Sequence, residues 1–364
     1  MLVPLLAPLT ATAQARPGDK PQTLESLGQE ETSPLQISGY GLGNYTYAGR
    51  TRANSFAASK LAVSLFREIT DHVWVFGQLT AGLAEGEAGG GEVTTEIEID
   101  NLILNWTPPG LTSVSLAAGR FDVPIGFERD DEPLNLQATR TFNAELARPT
   151  KMVGVVGRWV AGPRLEIAAM VSNGWDAQLS LNHGKTGGLR IGLLPSAHSS
   201  LGLAGVYGQE GPQDSTVGRY VLTLDYAVQP SDRWLVAGEA NVGGDRGANA
   251  DGSDARWYGG TLTLFGRLGG KLGAVLRAEL FRDRDGARTG QPQTLASYSL
   301  APVYLLGSGR EGIFANIEHT TLRIPRLQIR AEARLDHSSE PYFETGNGLG
   351  TWDVRYVLQF VALF

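Results

Sequence analysis

The sequence predicts an all-β chain: a closed antiparallel transmembrane β-barrel of about 16 strands (16–18), with short periplasmic turns and long extracellular loops. Three observations predict it. Short segments alternate between apolar and polar residues from residue 35 to the end. The breaks between them alternate in length. The final strand carries one wholly apolar face and ends on Phe364.

The terminal strand is the plainest. Val354, Tyr356, Leu358, Phe360, Ala362 and Phe364 fall on one face, and Asp353, Arg355 and Gln359 on the other, because successive strand side chains point to opposite sides. Leu61, Val63 and Leu65 share a face against Lys60 and Ser64. Val73, Val75 and Leu79 oppose Trp74, Phe76 and Gln78, a less clean case. Val114, Leu116 and Ala118 alternate with Ser115, Ala117 and Gly119, and Leu165, Ile167, Ala169 and Val171 with Glu166, Ala168, Met170 and Ser172. Tyr220, Leu222, Leu224 and Tyr226 oppose Arg219, Thr223 and Asp225; Ala274, Leu276, Ala278 and Leu280 oppose Arg277 and Glu279. The cleanest strand sets Leu327, Ile329, Ala331, Ala333 and Leu335 against Arg326, Gln328, Arg330, Glu332, Arg334 and Asp336.

Alternation alone fits a soluble sandwich as well as a membrane barrel. Loop lengths separate the two. Short breaks near 67–71, 107–112, 161–164, 195–199, 228–232 and 266–270 alternate with longer ones near 84–93, 121–151, 173–187, 208–216, 243–256, 282–293 and 338–350. Sorting short turns to one rim and long loops to the other is a barrel property. The count is soft at 305–326, where 313–322 reads as an extra strand or as an extension at the periplasmic rim. Tyr40, Tyr45, Tyr47, Trp106, Trp159, Trp234, Trp257 and Tyr258 lie near strand ends, where amphipathic rings settle at membrane interfaces.

The bulk properties agree. Past the N-terminus no run of eighteen apolar residues offers a spanning helix. The absence of cysteine excludes disulfides and thiolate metal sites. A formal charge of −7 without a basic stripe argues against a nucleic-acid partner. Residues 1–15 read as a signal peptide, apolar and closing on Ala13-Gln14-Ala15, although no Lys or Arg precedes the apolar stretch. Residues 16–34 read as a flexible periplasmic lead-in, and 35–364 as one barrel domain.

Two short motifs carry a resemblance. Gly119-Arg120-Phe121-Asp122-Val123-Pro124-Ile125-Gly126-Phe127 resembles the Gly-x-Phe-x-x-Pro-x-Gly segment that opens the third loop of outer-membrane β-barrel porins. Ser172-Asn173-Gly174-Trp175-Asp176 is similar to the Asn-Gly-Trp-Asp strand end of the same family. The resemblance implies a passive channel for small hydrophilic solutes and ions in the bacterial outer membrane, without cofactor. It implies insertion by the barrel-assembly machinery, read through Tyr356, Phe360 and Phe364, with lipid around the barrel. A homotrimer is one implied assembly, with no interface legible in the strands.

The resemblance further implies that 121–151 is a constriction loop within the lumen. It carries Asp122, Glu128, Asp130, Asp131, Glu132 and Glu145 against Arg129, Arg140, Arg148 and Lys151. Arg326, Arg330 and Arg334, with Arg277 nearby, are expected to face it, so that opposed charges bias the passage of charged solutes. Other chemistry is weaker. His72, His183, His198, His319 and His337 are dispersed without metal-ligand spacing. Asp283-Arg284-Asp285-Gly286 and 245–254 lack the bidentate Glu of a calcium loop and read as turns. Asp176 with His183 and Asp336 with His337 are acid–histidine neighbours near loops, and no nucleophile accompanies them. A non-conducting structural or adhesive barrel is the second expectation, and a barrel hydrolase the third.

Overall fold

The computed structural model of the chain describes residues 35–84, 94–179, 182–196, 198–210, 217–306 and 325–364. The expected signal peptide, 1–15, and lead-in, 16–34, lie outside the described residues. The strands are β1 (Gln36–Ala48), β2 (Asn54–Thr70), β3 (Val73–Ala84), β4 (Thr94–Trp106), β5 (Val114–Asp122) and β6 (Lys151–Gly162). Next come β7 (Leu165–Ser172), β8 (Thr186–Ser196), β9 (Ser199–Gln209), β10 (Gly218–Ser231), β11 (Trp234–Asp245) and β12 (Ala255–Gly269). Then follow β13 (Leu272–Asp283), β14 (Gln293–Leu306) and β15 (Leu327–Ser338), a hairpin of β16 (Phe343–Thr345) and β17 (Gly348–Gly350), and β18 (Trp352–Leu363).

All but the hairpin close into one antiparallel barrel of 16 strands, each beside its sequence neighbour, with β18 returning to pair with β1. Closure satisfies every ladder, which an open sheet in hydrocarbon cannot do. β14 pairs directly with β15, down to Leu306 opposite Leu327. The ring therefore needs no strand from 313–322, which lies outside the described residues.

The burial pattern is inside out. Leu61, Leu79, Leu102, Leu104, Leu222, Leu262, Leu276 and Leu300 are exposed on the outer face. Gln78, Asn101, Arg190, Asp225, Glu239, Arg277, Glu279, Arg330 and Glu332 are buried within. Water would drive this arrangement the other way; lipid outside explains it. A lysine or arginine on the outer face at mid-membrane would cost about 2–4 kcal/mol. On β18 the even residues from Trp352 to Phe360 face out in part or in full, while Asp353, Val357, Gln359 and Val361 are buried.

Two aromatics depart from the interfacial expectation. Trp106, Trp159, Trp234 and Tyr258 are exposed near strand ends, but Tyr40 and Trp257 are buried and turned inward. Tyr40 shares the inward parity of Leu42 on β1, and Trp257 that of Ala255 on β12. Strand-end position places a ring at an interface only when its parity also points outward. A bulge between β3 and β4 also overrides simple alternation. Gln78 pairs with Asn101 and Leu79 with Ile99, leaving Asp100 as the extra residue. Asp100 and Asn101 are consequently both buried, since a bulge re-aims side chains.

The chain end seals the ring. Gly39 N–H donates to Phe364 O at 3.2 Å and Phe364 N–H to Gly39 O at 3.0 Å, and a Cβ at Gly39 would collide with the Phe364 ring and Ala62 O. Phe364 thus closes the seam as well as ending the strand. Deleting Phe364 is expected to lower the stability of the inserted barrel by roughly 1–3 kcal/mol, from two lost hydrogen bonds and the exposed seam. Urea unfolding in lipid vesicles, followed by tryptophan fluorescence and heat-modifiable gel mobility, measures the change.

Candidate functional site

Residues 123–150 leave β5 and return to β6, but between those ends they cross the lumen. A sharp bend starts the crossing. Gly126 has φ +79°, a conformation open mainly to glycine, and a Cβ there would overlap the Arg148 guanidinium. Arg148, at the other end of the loop, donates from Nε to Glu239 Oε1 on β11 at 3.0 Å and from an Nη to Glu128 O at 2.8 Å. Phe127 N–H adds a bond to Glu239 Oε2 at 2.7 Å. Outgoing and returning segments are thereby knotted together on one buried carboxylate. Upstream, Gly119 has φ +131° and packs against the Leu102 carbonyl.

The second motif receives the returning chain. Asp176, at φ +53°, accepts at Oδ1 from Thr150 N–H and Lys151 N–H, both at 2.8 Å. Beside it Trp175 packs edge-on against Trp257, with ring centroids 6.2 Å apart. The guanidinium of Arg288 lies 5.3 Å from both rings. Trp257 Nε1–H donates to Ala147 O at 3.0 Å and Arg288 to Leu146 O at 2.5 Å. The two motifs thus serve the same loop, the first launching it and the second catching it.

Between these ends the loop is tied to the far wall. Glu332 of β15 accepts from Ala138 N–H and Thr139 N–H at 2.9 Å and from Thr139 Oγ1–H at 2.7 Å. Arg277 of β13 bonds Glu128 Oε1 and Thr139 O, each at 2.7 Å. Arg330 holds the loop through neutral oxygens: it donates to the backbone oxygens of Glu132 and Gln137 at 3.0 and 3.1 Å, and to Gln359 and Gln328. Arg334 binds Asp336 and the carbonyl of Arg140. A π-type turn, Asn143–Ala147, sets Asn143 N–H on Glu279 at 3.2 Å. Apolar contacts add to the polar ones, with Phe127 and Leu136 packed on a buried inward patch that includes Leu235, Phe265 and Val275.

The near wall meets the loop's acidic stretch. Tyr40 Oη–H donates to Asp131 Oδ1 at 3.1 Å and Glu132 Oε2 at 2.7 Å, and Gln78 to Asp131 Oδ1 at 3.0 Å. Lys60 pairs with Glu132 at 3.2 Å. Lys151 Nζ lies 2.9 Å from Asp100, 2.5 Å from Asp122 and 3.2 Å from Asp130, and Arg140 also pairs with Asp130.

Of the expected lumen charges, the structure brings together Asp122, Glu128, Asp130, Asp131, Glu132, Arg140, Arg148, Arg277, Arg330 and Arg334. Arg129 lies beside them, its backbone N–H on Asn135 at 2.9 Å. Two points differ from expectation. Arg326 precedes β15 and is exposed, whereas Arg330 and Arg334 of the expected row are buried. Arg277, Arg330 and Arg334 touch the loop directly instead of facing it across a gap. Sequence reasoning missed Tyr40, Asp100, Glu239, Glu279 and Glu332, because only the register shows which strand residues meet the loop. The polar parity of Glu239 and Glu332 was the available signal.

Other candidate chemistry is not assembled. Asp336 points inward to Arg334, whereas His337 packs on Trp352 with centroids 4.3 Å apart. Asp176 is engaged by the loop, and His183 is exposed. Asp251 and Asp283 accept bonds within their own turns. Among the described residues no group of three or more His, Asp or Glu is arranged for a metal.

A family model described as "Putative beta-barrel porin-2, OmpL-like" matches residues 47–364. The chain belongs to this porin family. It is a protein of the bacterial outer membrane. Solved structures share the fold at low identity. An anion-selective porin from Comamonas acidovorans is 10% identical, with a TM-score of 0.60 over 91% of this chain and 99% of that one. Outer-membrane expressed OmpT of Vibrio cholerae is 9% identical, with a TM-score of 0.59 over 91% and 97%. Salmonella typhi OmpF, in complex with daunomycin, is 9% identical, with a TM-score of 0.58 over 91% and 97%. No curated protein matches the chain.

Three carboxyls of this porin's loop are shifted by their surroundings, so its docking is expected to depend on pH. Burial, then the like charges of Asp122, Asp100 and Glu132, push the Asp131 carboxyl up to about 7 against the pull of Lys151. Burial also opposes ionisation of Asp130, but Lys151, Arg140 and Lys60 hold it well below the usual carboxylate range. Arg277 and the Thr141 N–H likewise lower Glu128 against its burial. A raised docked-state pKa favours docking below the ordinary value of about 4 and loses that contribution as pH rises towards 7. The lowered groups act oppositely, their contribution vanishing as pH falls below about 4. Docking is therefore expected to be tightest at about pH 4–5. Limited proteolysis of the loop in lipid vesicles should quicken between about pH 5 and pH 8, and Asp131→Asn should flatten that rise. Glu332→Ala, which strands buried donors, is expected to weaken docking by about 3–5 kcal/mol and to expose the loop at every pH.

Proposed function

We propose that this porin is a passive diffusion channel for small hydrophilic solutes and ions, narrowed by the loop 123–150. The supporting observation is a loop bound from inside to both walls, through Tyr40 and Gln78 on one and Glu239, Arg277 and Glu332 on the other. A polar interior within a lipid-facing barrel provides a wet route, and an internal loop sets the size limit and the local charge. Transport then needs no cofactor, energy input or covalent chemistry, and the protein acts as a channel and not as an enzyme. We also propose insertion by the barrel-assembly machinery through the Tyr356, Phe360 and Phe364 face. A homotrimer is proposed by analogy with Vibrio cholerae OmpT, described in a trimer form.

One observation favours a second reading, a structural barrel that does not conduct. Arg330 and Glu332 are almost fully covered where the loop lies on β15, so docking on that wall is tight. Single-channel recording of the purified, refolded protein in planar bilayers separates the two. Discrete conductance steps are expected; a folded barrel that stays silent supports the structural reading.

A further inference from the structure

The charges around the loop are not equally open to water. The basic groups on the far wall and at the loop's return are covered: side-chain exposure is 3% for Arg277, 4% for Arg334 and 2% for Arg148. Each is occupied in holding the loop or its wall, through Glu128, Glu279, Asp336 or Glu239. On the near wall, where the loop lies against β1 to β6, three acids stay partly wet. Asp122 is 40% exposed, Glu132 25% and Asp130 22%.

These acids form a continuous lane. Lys151 links Asp100, Asp122 and Asp130, while Tyr40 links Asp131 to Glu132. Five acids, Asp131 among them with its carboxyl pushed up to about 7, are met there by three bases, Lys60, Lys151 and Arg140. Lys151 is itself buried beneath the acids it serves. Buried Asp100 and Asn101 each leave one side-chain oxygen, Oδ2 and Oδ1 respectively, without a donor, although the Asn101 amide reaches both Gln78 and Asp122. Arg140 likewise leaves Nε and Nη2 without an acceptor, so the negative bias of the lane rests on its excess of acid.

We propose that the constriction favours cations over anions, with Asp122, Asp130 and Glu132 as the specificity-determining residues. The arginines of β13 and β15 act as positioning residues that keep the loop on the opposite wall. This rests on the channel reading above. A cation passing the lane replaces part of its hydration with carboxylate oxygens, Asp122 being the most exposed at 40%, whereas an anion meets only Lys60 at 20% and Arg140 at 21%, each already paired with an acid of the lane.

Reversal potentials in planar bilayers under a potassium chloride gradient test the proposal. The refolded wild type and an Asp122→Asn/Glu132→Gln double variant would be compared, both first checked for heat-modifiable folding. The wild type is expected to prefer potassium. The variant's potassium-to-chloride permeability ratio should fall by about twofold or more. In Arg256→Gln, an exposed group outside the lane and the loop's ties, the preference for potassium should persist. Conduction with no preference, with a preference for chloride, or with an unchanged ratio in the double variant overturns the proposal and leaves the channel reading intact. Silence from a folded wild type overturns both.

Discussion

Hydrocarbon offers no partner to a free backbone N–H or C=O, and that one constraint organises this molecule. It requires the sheet to close, which here falls to the seam between β1 and β18 and to the hydrogen bonds between Gly39 and Phe364. Once the ring is closed, each strand has one face for lipid and one for the interior, and the leucines of the outer face meet no water. The interior is then where the polar residues of a barrel this size collect, and where a long loop finds partners.

The loop inside is held by the physics of a protein core, although its surroundings are charged. Glu239 receives both ends of the loop, Glu332 receives its middle, and each carboxylate is covered and fully engaged. Removing one partner of such a buried set leaves the other uncompensated, so these ties act together more than their number suggests. Phe127 and Leu136 add an apolar anchor on the far wall. A loop held this way has a defined position, and the wet charges around it therefore lie in defined places. On the near wall those charges are mostly acids.

The two sequence motifs gain a physical meaning in this setting. Gly126 is required because the chain turns with positive φ at the point where Arg148 must pass. Asp176 is required because the returning backbone needs an acceptor for two N–H groups at the end of the crossing. Residues far apart in the chain thus hold a single loop, and neither motif contains a catalytic group.

The sequence by itself determined the class of fold, the strand parity and the sorting of short and long connections. These follow from local alternation and turn composition, which lipid and backbone pairing turn into a unique solution. The long, charged segment 121–151 was also legible as a loop of consequence. What only the tertiary structure decided is which charges remain free. Arg330 and Arg334 read as an open basic row along β15, yet their placement beneath the loop turns them into ties, while Arg326, just before the strand, stays exposed. Asp100 entered the acidic lane through a bulge, and Tyr40 through the inward parity of β1. Exposure is a property of what packs over a side chain, often from a distant part of the sequence, and no periodicity in one strand encodes it.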